Sequence, residues 1–351
     1  MMHGGNVWQG GSPADWLDYS ANIRPEGAPE WVKRVLEEAI GSVSYYPDPQ
    51  MRRARGALAE YLSIPTECVQ PTAGGISAID MATHLDATDL VICTPCFAEY
   101  GQLAANRGKK VRRASLMSAR HCIGDPEAQI GPALTEGCAV WLCNPLNPVG
   151  VAFTRGQVEA LLNRVEAANS WLIVDEAFID YCPEHSIASL VERHERLLVT
   201  GSMTKILGIP GVRLGYLCAQ PQVLEQLERY QLTWELSCFA EAVACALPAH
   251  AGDVREDGRR NAVRREALRK GLESLGAFVY PSEAAFLLAD FGRPVAPAER
   301  ILKEEKILVR SCMNFDGLDD GRHLRLAVKA EESNERLIKA LREALKCAEN
   351  L

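Results

Sequence analysis

Between Tyr45 and about Leu217, short unbroken apolar runs recur: Asp89-Leu-Val-Ile-Cys93, Ala139-Val-Trp-Leu-Cys143, Trp171-Leu-Ile-Val-Asp175 and Leu197-Leu-Val-Thr200. A strand with one wet face alternates polar and apolar residues, whereas a strand covered on both faces reads as continuous hydrophobic sequence. Helix-length stretches separate the runs, and Arg155 to Asn169 sets Val158, Leu161, Leu162 and Val165 at helical spacing. Doubly covered strands joined by helices admit few folds, so the pattern predicts a mainly parallel sheet flanked by helices, an α/β domain.

Beyond Pro221 the pattern changes. Residues from about Pro221 to Leu275 read as helical, whereas Phe278-Val-Tyr280, Ala285 to Asp290, Ile307-Leu-Val-Arg310 and His323 to Val328 read as strands. Ser333-Asn-Glu-Arg336 is expected to open a final amphipathic helix that runs to about Ala348. The expected organisation is an N-terminal arm with part of a small domain (1–44), a large ligand-binding domain (45–235) and a smaller α+β C-terminal domain (236–351) with an interdomain helix near its start. No repeat or low-complexity linker intervenes, so the domains are expected to share a wall where a ligand sits.

Charge limits the partners. With 38 Lys and Arg against 46 Asp and Glu, no cationic surplus exists to displace counterions from nucleic acid. Any anion site must be local, made of a few placed arginines. No leader-like N-terminus and no run of 18 apolar residues are present, so no membrane is expected and a cytoplasmic location is. Twelve dispersed cysteines fit buried thiols in a reducing compartment. Cys93-Thr-Pro-Cys96 has redox or metal spacing but neither a second pair nor an adjacent histidine, and a structural zinc takes four ligands, so no metal is expected.

Ligands of open parallel sheets collect at the carboxyl ends of strands, where several distinctive segments fall. Gly201-Ser-Met-Thr-Lys205 is followed by a glycine-rich apolar stretch and Arg213. A lysine attacks an aldehyde only when deprotonated, and its ordinary pKa of about 10.4 must be lowered by burial or nearby cations. Ser202, Thr204 and Arg213 offer two hydroxyls and a charged fork for a phosphate; the competing reading is a solvated surface loop. Asp175 ends an apolar run, and a carboxylate at that depth needs a cationic partner unless it only caps a helix. Asn144-Pro-Leu-Asn147-Pro-Val-Gly150 forces a turn that can aim the Asn147 amide at a ligand oxygen. In Thr72-Ala-Gly-Gly75-Ile76, the amides of Gly75 and Ile76 at a helix start can hold phosphate. Phe97 either stacks on a flat ligand or packs in its loop.

Taken in order, the glycine turn, the aromatic, Asn-Pro-x-Asn-Pro-x-Gly, Asp-Glu-Ala, Ser-x-Thr-Lys and an arginine eight residues after the lysine resemble the fold-type I pyridoxal 5′-phosphate (PLP) enzymes, the aspartate aminotransferase superfamily. Within it the chain looks most like the histidinol-phosphate aminotransferase branch, and inside that branch the L-threonine-O-3-phosphate decarboxylases of cobalamin synthesis. The segments that carry this run from His3-Gly-Gly-Asn6 through Asp18-Tyr-Ser-Ala-Asn22, Pro95 to Gly101 and Ile209 to Tyr216 as far as Arg310 to Leu318.

The resemblance implies a PLP fold with Lys205 as covalent anchor and Asp175, beside Ala177, on the pyridine nitrogen. It implies that Gly75, Ile76, Phe97, Asn147, Ser202, Thr204 and Arg213 hold the cofactor, with Tyr46 reaching the neighbouring subunit's cofactor phosphate in a homodimer. Arg325 is expected to take the substrate carboxylate with Asn22 and Asn147; Arg310, His3 and Arg336 are candidates for the phosphate of a small phosphorylated amino acid. Phe178 stands where the aminotransferases carry tyrosine, as in the decarboxylases. Departures are Thr72-Ala-Gly-Gly75 in place of a glycine-asparagine or glycine-serine turn, Ile76 for a hydroxyl residue, Lys329 for arginine and Arg24 for asparagine. The implied reaction is decarboxylation of threonine phosphate or serine phosphate, with transamination as the alternative. A non-catalytic regulator of this fold would carry a DNA-binding domain ahead of it, and none is expected before Tyr45.

Overall fold

The computed structural model describes residues 4–8, 11–87 and 89–348. The strands are β1 (Leu17–Asp18), β2 (Val69–Thr72), β3 (Asp89–Thr94), β4 (Lys110–Ser115), β5 (Met117–Ala119), β6 (Cys122–Ile123), β7 (Ala139–Cys143), β8 (Trp171–Asp175), β9 (Leu197–Ser202), β10 (Gly215–Cys218), β11 (Phe278–Val279), β12 (Phe286–Asp290), β13 (Ile307–Leu308), β14 (Arg310–Ser311) and β15 (His323–Ala327). The helices are α1 (Glu30–Ala39), α2 (Arg52–Leu62), α3 (Gly75–Ala82), α4 (Glu99–Asn106), α5 (Pro126–Ile130), α6 (Arg155–Ala167), α7 (Pro221–Glu228), α8 (Cys238–Ala246), α9 (Ala251–Glu273), α10 (Ala296–Glu304) and α11 (Glu331–Ala348).

All four apolar runs of the sequence become neighbours in one seven-stranded sheet of order β2-β10-β9-β8-β7-β3-β4. It is parallel except for β10, which runs antiparallel between β2 and β9. Every residue of β3, β7 and β9 is buried, as continuous apolar sequence requires. Each large apolar side chain removed from water contributes about 1.5–3 kcal/mol, so these strands anchor the larger core. Helix α6 illustrates the covering layer. Thr154 caps it by accepting from Gln157 N, Gln157 returns the bond, and Val158, Leu161, Leu162 and Val165 face the sheet.

A second core gathers Tyr19 with residues from Leu268 onward, beneath the antiparallel sheet β11-β12-β15-β14. Helix α9 passes between the two, burying Val254 in the first core and Leu268 and Leu272 in the second. The faces of the small sheet differ in kind. Leu287, Ala289, Leu324 and Leu326 point to the second core, while Phe286 and Leu288 on the opposite face join the first.

Three sequence expectations change. Ile307 to Arg310 is not one strand: β13 pairs in parallel with β1, and β14 pairs with β15. Four consecutive β-formers carry no signal for the change of partner at Val309. The stretch from Pro221 to Leu275 is broken into three helices, and Trp234 adopts a left-handed φ of 59° in the gap before α8. Helix α11 starts at Glu331 rather than Ser333, because Asn334 turns inward: its Nδ2 donates to Lys329 O at 2.8 Å, and its Oδ1 accepts from Lys329 N and the Tyr19 hydroxyl. Among the described residues no helix is long and apolar enough to cross a membrane.

Asn334 thus joins the N-terminal arm to the last helix. Asn334→Ala leaves the buried Tyr19 hydroxyl without its acceptor and is expected to cost about 2 kcal/mol, read as a lower urea midpoint by circular dichroism. An unchanged midpoint would remove Asn334 from that role.

Candidate active site

A cavity of roughly 540 Å³ opens at the carboxyl ends of β7, β8 and β9. Its floor is Asp175, the last residue of β8, which is 5% exposed. Asp175 Oδ1 accepts from Ala177 N at 3.0 Å, and Oδ2 accepts from the hydroxyl of Tyr100. Tyr100 is fully buried and stacks on Trp141 with ring centroids 4.7 Å apart, so the donor is fixed. Burial pushes the Asp175 carboxyl above the usual carboxylate range, with these hydrogen bonds opposing. A cation placed on this floor would restore its charge.

Lys205 follows β9 and borders the cavity. Burial, then the charges of Arg325 and Arg213, lowers its amine to about 8, while Asp175 pulls the other way. Its backbone carbonyl accepts from Arg24 N at 3.1 Å, which ties the lysine loop to the N-terminal arm.

One wall is a cup of small groups. Gly74 has φ +81°, which favours glycine, and a Cβ there would lie 2.7 Å from Arg213 Nη2 and displace the guanidinium. Arg213 is itself left-handed at φ 66°. Ser202 Oγ and Thr204 Oγ1 are 2.7 Å apart, and a Cβ at Gly75 would stand 3.1 Å from Ser202 Cβ. Gly75 and Ile76, at the start of α3, complete the cup with their helix-terminal backbone.

The loop after β7 closes on itself through Asn144, whose side chain bonds Phe153 N at 2.8 Å and Phe153 O at 3.0 Å. It presents Asn147, whose Oδ1 accepts from Arg325 Nη1 at 2.8 Å. The donor Nδ2 is therefore the part of the amide still able to reach a bound oxygen. Arg325 Nη2 donates to Ser20 O at 2.6 Å, Nε is buried without a partner, and burial lowers the guanidinium to about 10. Arg310 sits opposite Arg325 across β14 and β15, with Nη2 on Asn314 Oδ1 at 2.7 Å and its guanidinium 5.1 Å from the Phe315 ring. Asn22 is buried with Oδ1 unpartnered. Phe97 lies edge-on to Tyr100 at 5.8 Å, and Phe178 is edge-on to Phe286 at 5.0 Å.

Of the residues singled out in the sequence, Gly75, Ile76, Phe97, Asn147, Asp175, Ala177, Ser202, Thr204, Lys205, Arg213, Asn22, Arg310 and Arg325 all border this one cavity. Tyr46 does not: it is 80% exposed and packs on Trp234 at 4.6 Å. Arg336 is exposed on α11, and His3 lies outside the described residues. Arg24 turns away from the cavity to Asp257, at 2.9 Å. Sequence reasoning missed Tyr100, Ser20 and Phe315; the signal for Tyr100 was its place three residues after Phe97, one helical turn on. Two clusters of histidine and carboxylate, His121-Asp290-His323 and Glu184-His185-Glu283, stand apart from the cavity.

The site suits a flat aromatic cation carrying a phosphate. The raised floor carboxylate, the glycine-lined cup with its arginine and hydroxyls, and an amine held near neutrality are the groups that PLP needs.

The profile of aminotransferase class I and II matches residues 14–342. A threonine-phosphate decarboxylase of Salmonella typhimurium is 34% identical, with 98% of this chain and 96% of the relative aligned. An adenosylcobalamin biosynthesis bifunctional protein of Leptospira interrogans is 28% identical over 96% of this chain, which spans 40% of that longer protein. Among solved structures, the histidinol-phosphate aminotransferase of Clostridium acetobutylicum superposes with a TM-score of 0.86 at 26% identity, covering 95% of this chain and 99% of its own.

Because Arg325 depresses the lysine, Arg325→Met is expected to raise the Lys205 pKa from about 8 toward the ordinary lysine value. The check is the pH at which the cofactor-free protein becomes half-reactive toward an aldehyde trapped by borohydride. An unmoved midpoint would remove Arg325 from the control of Lys205.

Proposed function

This chain belongs to the aminotransferase class I and II family, and from that premise we propose that it is a PLP-dependent decarboxylase acting on L-threonine O-3-phosphate. The product is (R)-1-amino-2-propanol O-2-phosphate, a building block in cobalamin synthesis, and L-serine O-phosphate, one methyl smaller, is a second candidate substrate. The observation that carries the reading is the pair Arg310 and Arg325, buried side by side on adjacent strands of the cavity wall. A phosphorylated amino acid is anionic at both ends, and two desolvated arginines are the counterpart such a molecule needs.

When bound, PLP supplies an electron-withdrawing ring that takes up the electron pair of the bond broken at Cα. In this reading Asp175 would pair with the ring nitrogen, Phe97 would pack on the ring, Asn147 would donate to the ring oxygen and Ala177 would border it. Gly75, Ile76, Ser202, Thr204 and Arg213 hold the cofactor phosphate. Tyr46, exposed on its own subunit, reaches the partner's site in a homodimer.

Lys205 is the covalent anchor, and its lowered pKa leaves a share of the amine reactive near neutrality. Arg325 and Asn22 grip the substrate carboxylate, while Arg310, and His3 from the arm, take the phosphate. Held at both ends, the substrate cannot rotate freely about the bond between Cα and its nitrogen. The anchors at the two ends would thereby fix which of the bonds at Cα is presented for cleavage. Lys205 Nζ then delivers the proton that replaces the carboxylate on Cα. Phe178 adds no hydroxyl beside the ring oxygen, where the aminotransferases carry a tyrosine.

The expected result is release of carbon dioxide from L-threonine O-3-phosphate with no 2-oxo acid present. Turnover that occurs only with 2-oxoglutarate would overturn the reading in favour of transamination. Lys205→Ala should abolish the borohydride-trapped adduct. Arg325→Leu should raise KM by about 100-fold, since an anion loses its charged partner in a desolvated site.

A further inference from the structure

The hairpin β5-β6 leaves the large sheet after β4, and its tip docks on the small one. At the tip, His121 adopts a left-handed φ of 62° and stacks on Phe278 of β11 at 3.9 Å, with planes 8° apart. Its Nε2 lies 2.7 Å from Asp290 Oδ2, the last residue of β12, whose side chain is 1% exposed. A second contact lies lower on the hairpin: Met117 Sδ is 3.2 Å from where a Cβ would sit on Gly317. That turn follows Asn314, which holds Arg310, and Phe315, which lines the cavity.

Register shows what the hairpin holds. Asp290 pairs with His323, Leu288 with Arg325, and Arg310 with Arg325. Side chains two residues apart on a strand share a face, so Asp290, His323, Arg325 and Arg310 all stand on the face that meets the large core. His121 therefore grips one end of this face, and the two arginines occupy the next row, roughly 7 Å along the strands. Lys205, by contrast, is fixed to the large sheet.

We propose that His121 is a positioning residue: through Asp290 it fixes the arginine-bearing face of the small sheet relative to Lys205, and so sets the fit of a doubly anchored substrate. The proposal rests on the function given above. The cluster is an ion-pair network rather than a cation site. Arg120 and Arg322 lie 3.2 and 3.6 Å from the same Asp290 oxygen, and Arg322 also pairs with Asp320 at 2.5 Å, so the carboxylates already have their positive partners. The Arg113–Asp316 pair across the same junction is exposed on both sides and adds little.

The test compares His121→Phe, which keeps the stack on Phe278 and deletes the hydrogen bond, with His121→Gln, which retains a donor. His121→Phe is expected to raise KM for L-threonine O-3-phosphate about tenfold with kcat changed less than about threefold, and His121→Gln to restore most of the loss. PLP affinity should not move, because the cup residues all lie on the large sheet and its loops. Amide hydrogen exchange should quicken at 286–290 and 312–320 and stay unchanged at 171–205. Wild-type KM and exchange in both variants would overturn the proposal, and so would an equal loss of PLP affinity. Wild-type protein that releases no carbon dioxide overturns the function instead; the exchange pattern then decides the role of His121 alone.

Discussion

A carboxylate buried in the cavity floor has to be answered by positive charge, and much of the arrangement above it follows from that need. Asp175 ends a strand buried from Leu172 onward, where solvent cannot stabilise it, and the hydroxyl and amide that it accepts from compensate only in part. Lys205, Arg213, Arg310 and Arg325 border the same cavity, against Asp175 and Glu99. The chain as a whole carries a formal net charge of −8. The cavity thus reverses the sign of the protein around it, and its cationic excess suits a ligand that carries anionic groups. Burial first, and then the same excess, lowers the lysine amine, because desolvation and each nearby guanidinium make the ammonium form more costly. One distribution of charge therefore serves anion affinity and adds to what burial does for the reactivity of the amine.

The fold supplies that distribution from two independent platforms. Asp175, Asn147, Ser202 and Lys205 are placed by adjacent parallel strands whose ends coincide, so their spacing is set by the strand register. Arg310 and Arg325 come from an antiparallel sheet with its own core. The platforms touch through bonds of several kinds: Arg325 to Asn147 and to Ser20 of the arm, Arg24 to the Lys205 carbonyl, and His121 to Asp290. None of these is large alone. Each spans a junction, however, and together they limit how far one platform can turn against the other.

How much of this the sequence disclosed follows from what local pattern can carry. Strands covered on both faces declare themselves, and β3, β7, β8 and β9 lie where the apolar runs put them. β2, as Val-Gln-Pro-Thr, and β4, as Lys-Val-Arg-Arg-Ala-Ser, do not, because a polar or proline-containing edge strand reads like a loop. The division of Ile307 to Arg310 between two sheets was invisible, since residue type does not report which partner a strand will take. In the site, residues inside distinctive segments were legible by chemistry. Tyr100 was not, because its hydroxyl matters only once β8 brings Asp175 beneath it. Arg24 shows the converse: a cation next to the right segment whose partner, Asp257, lies on a helix more than two hundred residues away.

The same limit applies to the choice of reaction. Decarboxylation and transamination differ by a torsion in the bound substrate, and under the proposed roles of Arg310 and Arg325 that torsion would be set by the distance from Lys205 to two anchors on a different sheet. No residue owns such a distance. It is shared among contacts at the junction, most of them made by side chains that never meet the substrate. A substitution such as tyrosine to phenylalanine at 178 can remove a hydroxyl from the transaminating arrangement, yet it cannot by itself rotate a carboxylate. If reaction type resides in the junction, relatives of similar fold can diverge in chemistry while keeping the lysine, the aspartate and the phosphate cup. The structural similarity to an aminotransferase and the sequence similarity to a decarboxylase, each over nearly the whole chain, are then compatible, because one fold hosts both chemistries.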